Sequence, residues 1–213
     1  MTVRRRKQKE AVTAEGVDLG VIEMRGVTEM ACDEVEAEQA IEFKIYKAHP
    51  QALTPRYATS GSACFDLRAD FSNDEPVTIY TASNDATKFV PRAIAGQGDE
   101  KAIILDAGQR ALIPTGLIFD VPTGFKMLIY PRSGLALKQG LALSNCVGVV
   151  DSDYVEPTFV VLQNNSSARA IVKHGDKIAQ AEFVPAHQVS FSVTDTKPER
   201  KTERWGGFGS TGK

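Results

Sequence analysis

The sequence lacks the features that define several protein classes. No run in its 213 residues approaches 18 apolar residues, which argues against a transmembrane helix. The first ten residues are basic, but no apolar core follows them, so we expect no secretory signal, and the acids beyond argue against a mitochondrial presequence. Three widely spaced cysteines (Cys32, Cys64 and Cys146) do not form a disulfide framework and favour a reducing, cytoplasmic setting.

The sequence also lacks a cluster of ligands for a structural metal, and it has no excess of positive charge. His49, His174 and His187 are scattered, with no Cys or His at the spacing of a zinc site. The net charge of −2 gives no overall positive field, so we expect no stable binding of long nucleic acids. A hydrophobic content of 42% and a charged content of 24% are ordinary for a globular protein, and we expect no membrane association.

Charge and composition divide the chain into three parts. Residues 11–42 hold nine acids against Arg25 alone, which with the basic start predicts a charged, disordered extension over residues 1–41. Residues 42–193 predict a β domain, in which the polar and turn-rich stretch 73–100 is interpreted as an insertion loop that could contain a hairpin. Residues 194–213 predict a C-terminal arm. The extension and the insertion are also candidates to bind a partner protein.

The pattern of the central part predicts an all-β barrel or sandwich. Gly and Pro separate many short apolar runs, which is typical of strands joined by turns. We expect one short helix, over residues 134–139. The predicted strands cover residues 43–46, 102–105, 111–114, 117–120, 126–130, 158–162, 180–184 and 189–193.

Four internal segments carry candidate chemistry, each with a plain structural alternative. Residues 131–136 (PRSGLA) could bind an anion through Arg132 and Ser133, or could be a simple turn. Residues 145–154 are interpreted as a hairpin in which Asp151 and Tyr154 face one pocket, or carry ordinary turn carboxylates. Asp66 in residues 60–67 is a functional carboxylate or a buried one bonded to backbone amides.

The fourth internal segment and the tail add two more signals. In residues 175–180 (GDKIAQ), alternation predicts Ile178 and Gln180 on one face, where Gln180 needs a polar partner or a ligand. Residues 206–212 (GGFGSTG) hold four glycines around Phe208. That composition suits an arm whose ring stacks on a base while Arg204 and free amides take phosphates, or a disordered tail.

The order of these five segments resembles the five-motif pattern of the trimeric dUTPases (dUTP diphosphatases) over residues 43–212. That resemblance implies a distorted jelly-roll β-barrel, assembled as a homotrimer with active sites shared between subunits and closed by a glycine-rich arm. It implies hydrolysis of dUTP to dUMP and pyrophosphate, assisted by Mg²⁺. It also implies a role in keeping uracil out of DNA and in supplying dUMP for thymidylate synthesis.

The resemblance also implies roles for individual residues. Asp151 would be the general base that orients the attacking water, and Asp66 would touch the magnesium ion through water. Tyr154 would lie under the deoxyribose and exclude a 2′-hydroxyl, and Phe208 would stack on uracil. The remaining substrate-binding residues would be Arg132, Ser133 and Gly134 at the phosphates, Asn145, Gly148, Val149, Val150 and Phe159 at the nucleoside, and Gln180, Arg204, Gly209 and Ser210.

Two departures from the family pattern affect the predicted pocket and arm. Val155-Glu156-Pro157 replaces the common Arg-Gly-Glu after Tyr154, and proline removes a strand donor. In the arm, Arg204 stands four residues before Phe208 instead of five, and Trp205 replaces a small residue.

Three other functions remain to be weighed against a dUTPase. A dCTP deaminase shares the fold, but it needs a Glu where an ungapped count reaches Val161, and it lacks the glycine-rich arm. A nucleotide-binding regulator could use the extension or the insertion to bind proteins. A catalytically dead homologue would not keep Asp151, Ser133, Gln180 and Phe208.

Overall fold

A computed structural model describes residues 42–96 and 98–203, so the predicted extension over 1–41 and the glycine-rich end of the arm lie outside the described residues. The one helix in these ranges, α1 (Ser133–Gln139), confirms the predicted short helix. The strands are β1 (Lys44–Lys47), β2 (Arg56–Tyr57), β3 (Phe65–Arg68), β4 (Val77–Tyr80), β5 (Ala86–Phe89), β6 (Arg92–Ala93), β7 (Lys101–Leu105), β8 (Arg110–Pro114), β9 (Leu117–Asp120), β10 (Phe125–Tyr130), β11 (Leu141–Leu143), β12 (Gly148–Val150), β13 (Phe159–Asn164), β14 (Ala170–Lys173) and β15 (Lys177–Pro185).

Two five-stranded sheets form the body of the fold, as the all-β prediction requires. One has the order β12-β10-β15-β3-β2 and the other β11-β13-β8-β4-β5; smaller sheets pair β14-β7-β6 and β1-β9. The strand pairs are antiparallel. No helix in the described part of the chain has the length and apolar content that crossing a membrane requires.

The core is built from strand residues at every second position. In β10, Met127 and Ile129 are buried while Leu128 between them is half-buried, as the two-residue period of a strand dictates. Aromatic rings fill the space between strands: Phe183 stacks on Phe43 with ring centroids 3.7 Å apart and also contacts Phe65. Burial of these side chains supplies the main driving force for the barrel.

The stretch 73–100 contains the hairpin that the sequence analysis considered, although it is not an insertion loop. The hairpin is β4–β5, and β4 also pairs with β8, so that its buried Val77 and Ile79 belong to the core. The apolar alternation in β4 is only four residues long and lies among polar turn residues, which concealed it in the sequence. Strand β5 is exposed throughout and forms the edge of its sheet.

Two other local predictions were wrong. Residues 145–154 do not form a hairpin, because β12 pairs with β10 while the next strand, β13, pairs with β8 and β11 in the other sheet. Residues 189–193 form no strand, although apolar and polar residues alternate there. Phe191 is 91% exposed, so the apolar face of that segment has no partner within the described chain.

A buried carboxylate packs against the turn between β8 and β9. The side chain of Asp70 is 1% exposed, and its Oδ1 accepts hydrogen bonds from the Ser72 backbone N–H (3.0 Å) and hydroxyl (2.6 Å). Gly116 lies against this carboxylate with φ of +69°, a conformation that favours glycine. A Cβ at position 116 would collide with Asp70 Oδ2 and lie 2.9 Å from Ala52 Cβ.

We therefore expect Gly116→Ala to destabilise the fold through both backbone strain and collision. The expected loss is about 2–4 kcal/mol of unfolding free energy, measured by urea denaturation. Gly124→Ala is the matched control, because φ is +88° there but nothing lies within 4 Å of the added Cβ. That control should lose only about 1 kcal/mol, and equal losses in the two variants would contradict the collision.

Candidate active site

A cavity of about 440 Å³ lies between β12 of one sheet and β8 and β13 of the other. It gathers the predicted nucleoside residues that the structure describes together with Asp151, the predicted general base. Neighbouring strands add residues that the sequence did not single out, among them Leu112 and Ile129. The predicted residues that line it are Asn145, Gly148, Val149, Val150, Asp151, Tyr154 and Phe159.

Strand β12 presents backbone groups to this cavity because it is the edge of its sheet. It pairs only with β10, so alternate N–H and C=O groups point away from the sheet and are free to bind a ligand. Gly148 packs closely, since a Cβ there would lie 3.2 Å from Ile129 Cβ and 3.4 Å from Asn145 Nδ2. The small residue thus lets β12 approach β10 and lets Asn145 fold over the strand.

Asp151 and Tyr154 are brought together by a tight turn directly after β12. The Tyr154 N–H donates to the Asp151 carbonyl (3.2 Å), and the Tyr154 hydroxyl donates to the Pro157 carbonyl (2.9 Å). Asp151 is exposed within the single chain, so the desolvation expected from its place after an apolar strand is not supplied by this chain alone. Pro157, which departs from the family pattern, serves as the acceptor that holds the Tyr154 ring.

A second group of predicted residues lies where β10, β15 and β3 run side by side. Arg132 Nε lies 3.1 Å from Asp66 Oδ1, and Lys177 Nζ lies 2.5 Å from Asp66 Oδ2. Arg132 also donates from a terminal nitrogen to the Lys177 carbonyl (3.1 Å), and Gln180 Nε2 donates to the Pro131 carbonyl (3.0 Å). Asp66 is therefore paired with two cations, not with the backbone amides considered in the sequence analysis.

The face predicted for Gln180 was wrong. A register irregularity between Lys177 and Ala179 in the pairing of β15 with β3 interrupts the alternation. Ile178 and Ala179 are consequently both buried, while Gln180 is half-buried. The irregularity turns Lys177 and Gln180 toward Asp66 and Pro131, and a two-residue period could not have revealed it.

The described residues do not form a resident metal site. No set of three His, Cys, Asp or Glu side chains in residues 42–96 and 98–203 could hold a metal ion. Both oxygens of Asp66, the predicted water-mediated ligand, already contact cationic side chains. The donor set around Asp66 therefore does not fit a magnesium ion, because positive charges occupy the carboxylate that would attract it.

The two groups lie toward opposite ends of β10. Val150 pairs with Met127, which places Asp151 near the start of the strand, whereas Tyr130 at its end pairs with Gln180 and leads into Arg132. At roughly 3.4 Å per residue, Asp151 and Arg132 lie on the order of 15–20 Å apart. A second cavity supports this, because it joins Asp151 to Phe125 at the start of β10. One chain thus does not place both residues around one phosphorus atom.

The remaining predicted residues fall outside these contacts. Ser133 and Gly134 are exposed on the first turn of α1, next to Arg132. Arg204, Phe208, Gly209 and Ser210 lie outside the described residues. No sequence argument singled out Lys177 as functional. It lies in the 175–180 segment, where the adjacent turn and the nearby Gln180 were the signals that could have pointed to it.

Tyr130 and Cys64 lie beside a shared carboxylate next to this second group. The Tyr130 hydroxyl donates to Glu182 Oε1 (2.7 Å), and this hydrogen bond is the main reason why the pKa of Tyr130 is raised above its usual value. Burial, and then the charge of Glu182, raise the pKa of the Cys64 thiol. Both groups therefore stay protonated at neutral pH, and the hydrogen bond ties the end of β10 to β15.

Comparisons with known proteins agree on one family. The family model described as dUTPase matches residues 99–212. A Bartonella henselae deoxyuridine 5′-triphosphate nucleotidohydrolase is 39% identical over 77% of this chain and 79% of its own length. The Caulobacter vibrioides enzyme of the same name is 36% identical over 84% of this chain and 97% of its own length.

Solved structures share the fold. A dUTPase from phage phi11 of S. aureus, with a species-specific insert, superimposes with a TM-score of 0.55 at 15% identity, over 74% of this chain and 98% of its own. The dUTPase of Streptococcus mutans gives a TM-score of 0.51 at 20% identity, over 70% of this chain and 98% of its own. A mutant of the phage phi11 protein coordinates a structural Mg(II) ion.

Removing the Glu182 carboxylate should lower the pKa of Tyr130 toward that of an ordinary tyrosine. The hydrogen bond stabilises the protonated phenol, and Glu182→Gln replaces the charged acceptor with a neutral amide. The phenol absorbance of the wild type and of Glu182→Gln is titrated with pH, each with and without the added Tyr130→Phe substitution. The difference within each pair isolates the titration of Tyr130. An unchanged Tyr130 titration in Glu182→Gln would show that the bond does not set its pKa.

Proposed function

The chain belongs to the dUTPase family, and on that premise we propose which residues carry out the hydrolysis of dUTP and how they do it. A water molecule attacks the α-phosphorus, the bond from that phosphorus to the α–β bridging oxygen breaks, and dUMP and pyrophosphate are released. The proton of the water passes to the Asp151 carboxylate. The observation that supports this assignment most directly is the cavity that brings Asp151, Tyr154 and the edge of β12 together.

The cavity beside β12 holds the uracil and the deoxyribose. Free backbone groups of the edge strand and the Asn145 amide match the donors and acceptors of uracil. The exocyclic amine of cytosine is a hydrogen-bond donor and would face a donor of the cavity. A buried donor left without an acceptor costs on the order of 1–3 kcal/mol. The methyl group of thymine collides with β12. Tyr154, held by Pro157, closes the sugar side and leaves no room for a 2′-hydroxyl.

Arg132, Ser133, Gly134 and Gln180 hold the phosphates. Arg132 has five N–H donors, of which the contacts with Asp66 and the Lys177 carbonyl use two. The other three are free for phosphate oxygens. The Ser133 hydroxyl supports the leaving bridging oxygen, and electrostatic stabilisation of this kind carries most of phosphoryl-transfer catalysis.

Magnesium enters as part of the substrate. The triphosphate oxygens would hold the ion, which would neutralise part of their charge. The structural Mg(II) ion of the phage phi11 relative shows only that a member of the same fold binds the metal.

A homotrimer supplies the complete active site. Asp151 and Arg132 lie too far apart in one chain to act on one phosphorus, whereas hydrogen-bond reach is roughly 3 Å. A second copy therefore provides the phosphate-binding residues around Arg132. The surface of that copy also desolvates Asp151. The exposed alternating segment 189–193 leads into the arm that closes over the site, where Arg204 and Phe208 contact the nucleotide with Gly209 and Ser210. The proposed setting is the cytoplasm, where the reaction keeps uracil out of DNA and supplies dUMP.

Pyrophosphate release separates this function from its rivals. With magnesium present, we expect rapid release from dUTP and little from UTP, dCTP or dTTP. Asp151→Asn should reduce the rate about 10²–10⁴-fold, because the general base is lost. Incubation with dCTP should yield no ammonia.

The matched control is Asp120→Asn, which changes an exposed carboxylate at the end of β9 and should keep full activity. Pyrophosphate release from dCTP or dTTP at the dUTP rate would overturn the assignment of the uracil cavity. Full activity of Asp151→Asn would overturn Asp151 as the general base. Appreciable ammonia from dCTP would favour the deaminase.

A further inference from the structure

We infer that Asp66 and Lys177 are positioning residues that clamp the Arg132 guanidinium for the phosphates, and that Asp66 is not a contact of the metal. The inference rests on the proposed function, in which Arg132 binds the triphosphate. It differs from the role that the sequence resemblance implied for Asp66, and it gives a role to Lys177, which had none.

The clamp holds Arg132 from two directions. Asp66 on β3 engages Nε, and the Lys177 carbonyl on β15 engages a terminal nitrogen, both at 3.1 Å. Two contacts on one planar guanidinium fix its orientation, which a single contact to a flexible side chain would not. The side that faces away from these contacts keeps its remaining N–H groups for phosphate.

Strand pairing builds the clamp into the sheet. Asp66 pairs with Gln180 in the register of β3 and β15, and Gln180 pairs with Tyr130 in the register of β15 and β10. The Gln180 side chain also holds the Pro131 carbonyl, so both the backbone before Arg132 and its side chain are anchored to neighbouring strands. The Lys177 ammonium contacts Asp66 and the Lys177 carbonyl accepts from Arg132, so both polar groups of this residue serve the clamp.

Lys177 keeps the clamp positively charged. The Asp66 side chain is 12% exposed, and a carboxylate shielded from water near a phosphate would repel it. The Lys177 ammonium, 2.5 Å from Asp66 Oδ2, compensates that charge, so Asp66 can orient Arg132 without cancelling its attraction for phosphate. The group of three carries a net charge of +1, which would repel a metal ion and attract a polyphosphate.

The test measures turnover of dUTP, the magnesium concentration for half-maximal rate, and binding of inorganic pyrophosphate in EDTA by calorimetry. For Asp66→Asn we expect kcat to fall about ten- to a hundredfold, because Arg132 loses its orientation. Pyrophosphate should bind as tightly as before or more tightly, since one negative charge is gone. Half-saturating magnesium should stay within about twofold of the wild-type value.

Two further variants give different signatures. Lys177→Met lowers the net charge of the group from +1 to 0 while Arg132 keeps its contact with Asp66, so we expect about tenfold weaker pyrophosphate binding and a smaller loss of kcat. Arg132→Lys keeps the charge but makes fewer contacts, so it should match Asp66→Asn, and Asp66→Asn should add no further loss in that background. If Asp66→Asn fails to fold, pyrophosphate binding by Lys177→Met decides the question. Asp106→Asn, which breaks the exposed pair with Arg169, is the control and should change nothing.

A rise in half-saturating magnesium that accounts for the lost rate would overturn the clamp and place Asp66 at the metal. Additive losses from Asp66→Asn and Arg132→Lys would also overturn it. Absence of dUTP hydrolysis by the wild-type chain would contradict the proposed function alone. In that case pyrophosphate binding in EDTA would still test the clamp. Equal pyrophosphate affinities of the wild type and Lys177→Met would contradict it.

Discussion

The hydrogen-bonded position of β10 between β12 and β15 is the constraint on which the rest of the site depends. One neighbour carries the nucleoside cavity and Asp151, and the other carries Gln180 and the Lys177 carbonyl. The registers place these two sets toward opposite ends of the same strand. The sheet does not bring them together within one chain, which is why the proposed function places the substrate between two copies.

The same constraint explains the separate chemistry of the two groups. The cavity beside β12 has unpaired edge-strand backbone and an aromatic wall, which suit a planar base and a sugar. The other end concentrates charged groups, with one carboxylate paired to two cations. In the proposed function, recognition of the uracil and positioning of the phosphates therefore belong to different surfaces, one between the two large sheets and one at the other end of β10.

Much of the fold followed from short-range patterns in the sequence, whereas pairing partners did not. Short apolar runs between turn residues predicted seven of the fifteen described strands, and the short helix was expected over residues 134–139. The buried strand Val77–Tyr80 was hidden among polar residues, and the segment 145–154 looked like a hairpin because sequence proximity does not show that β12 and β13 belong to different sheets. Asp66 was recognised by its motif, but its pairing with Arg132 and Lys177 depends on an irregularity in β15 that no periodicity reports.

The most direct test of a site shared between copies is complementation between two inactive variants. Asp151→Asn lacks the general base, and Arg132→Met lacks the guanidinium that binds the phosphates. The two variants are dissociated, mixed in equal amounts and reassembled. We predict recovery of roughly a quarter of the wild-type rate of pyrophosphate release from dUTP, because random pairing joins an intact Asp151 to an intact Arg132 in that share of sites. A mixture that assembles into mixed oligomers yet stays as inactive as each variant alone would contradict the account.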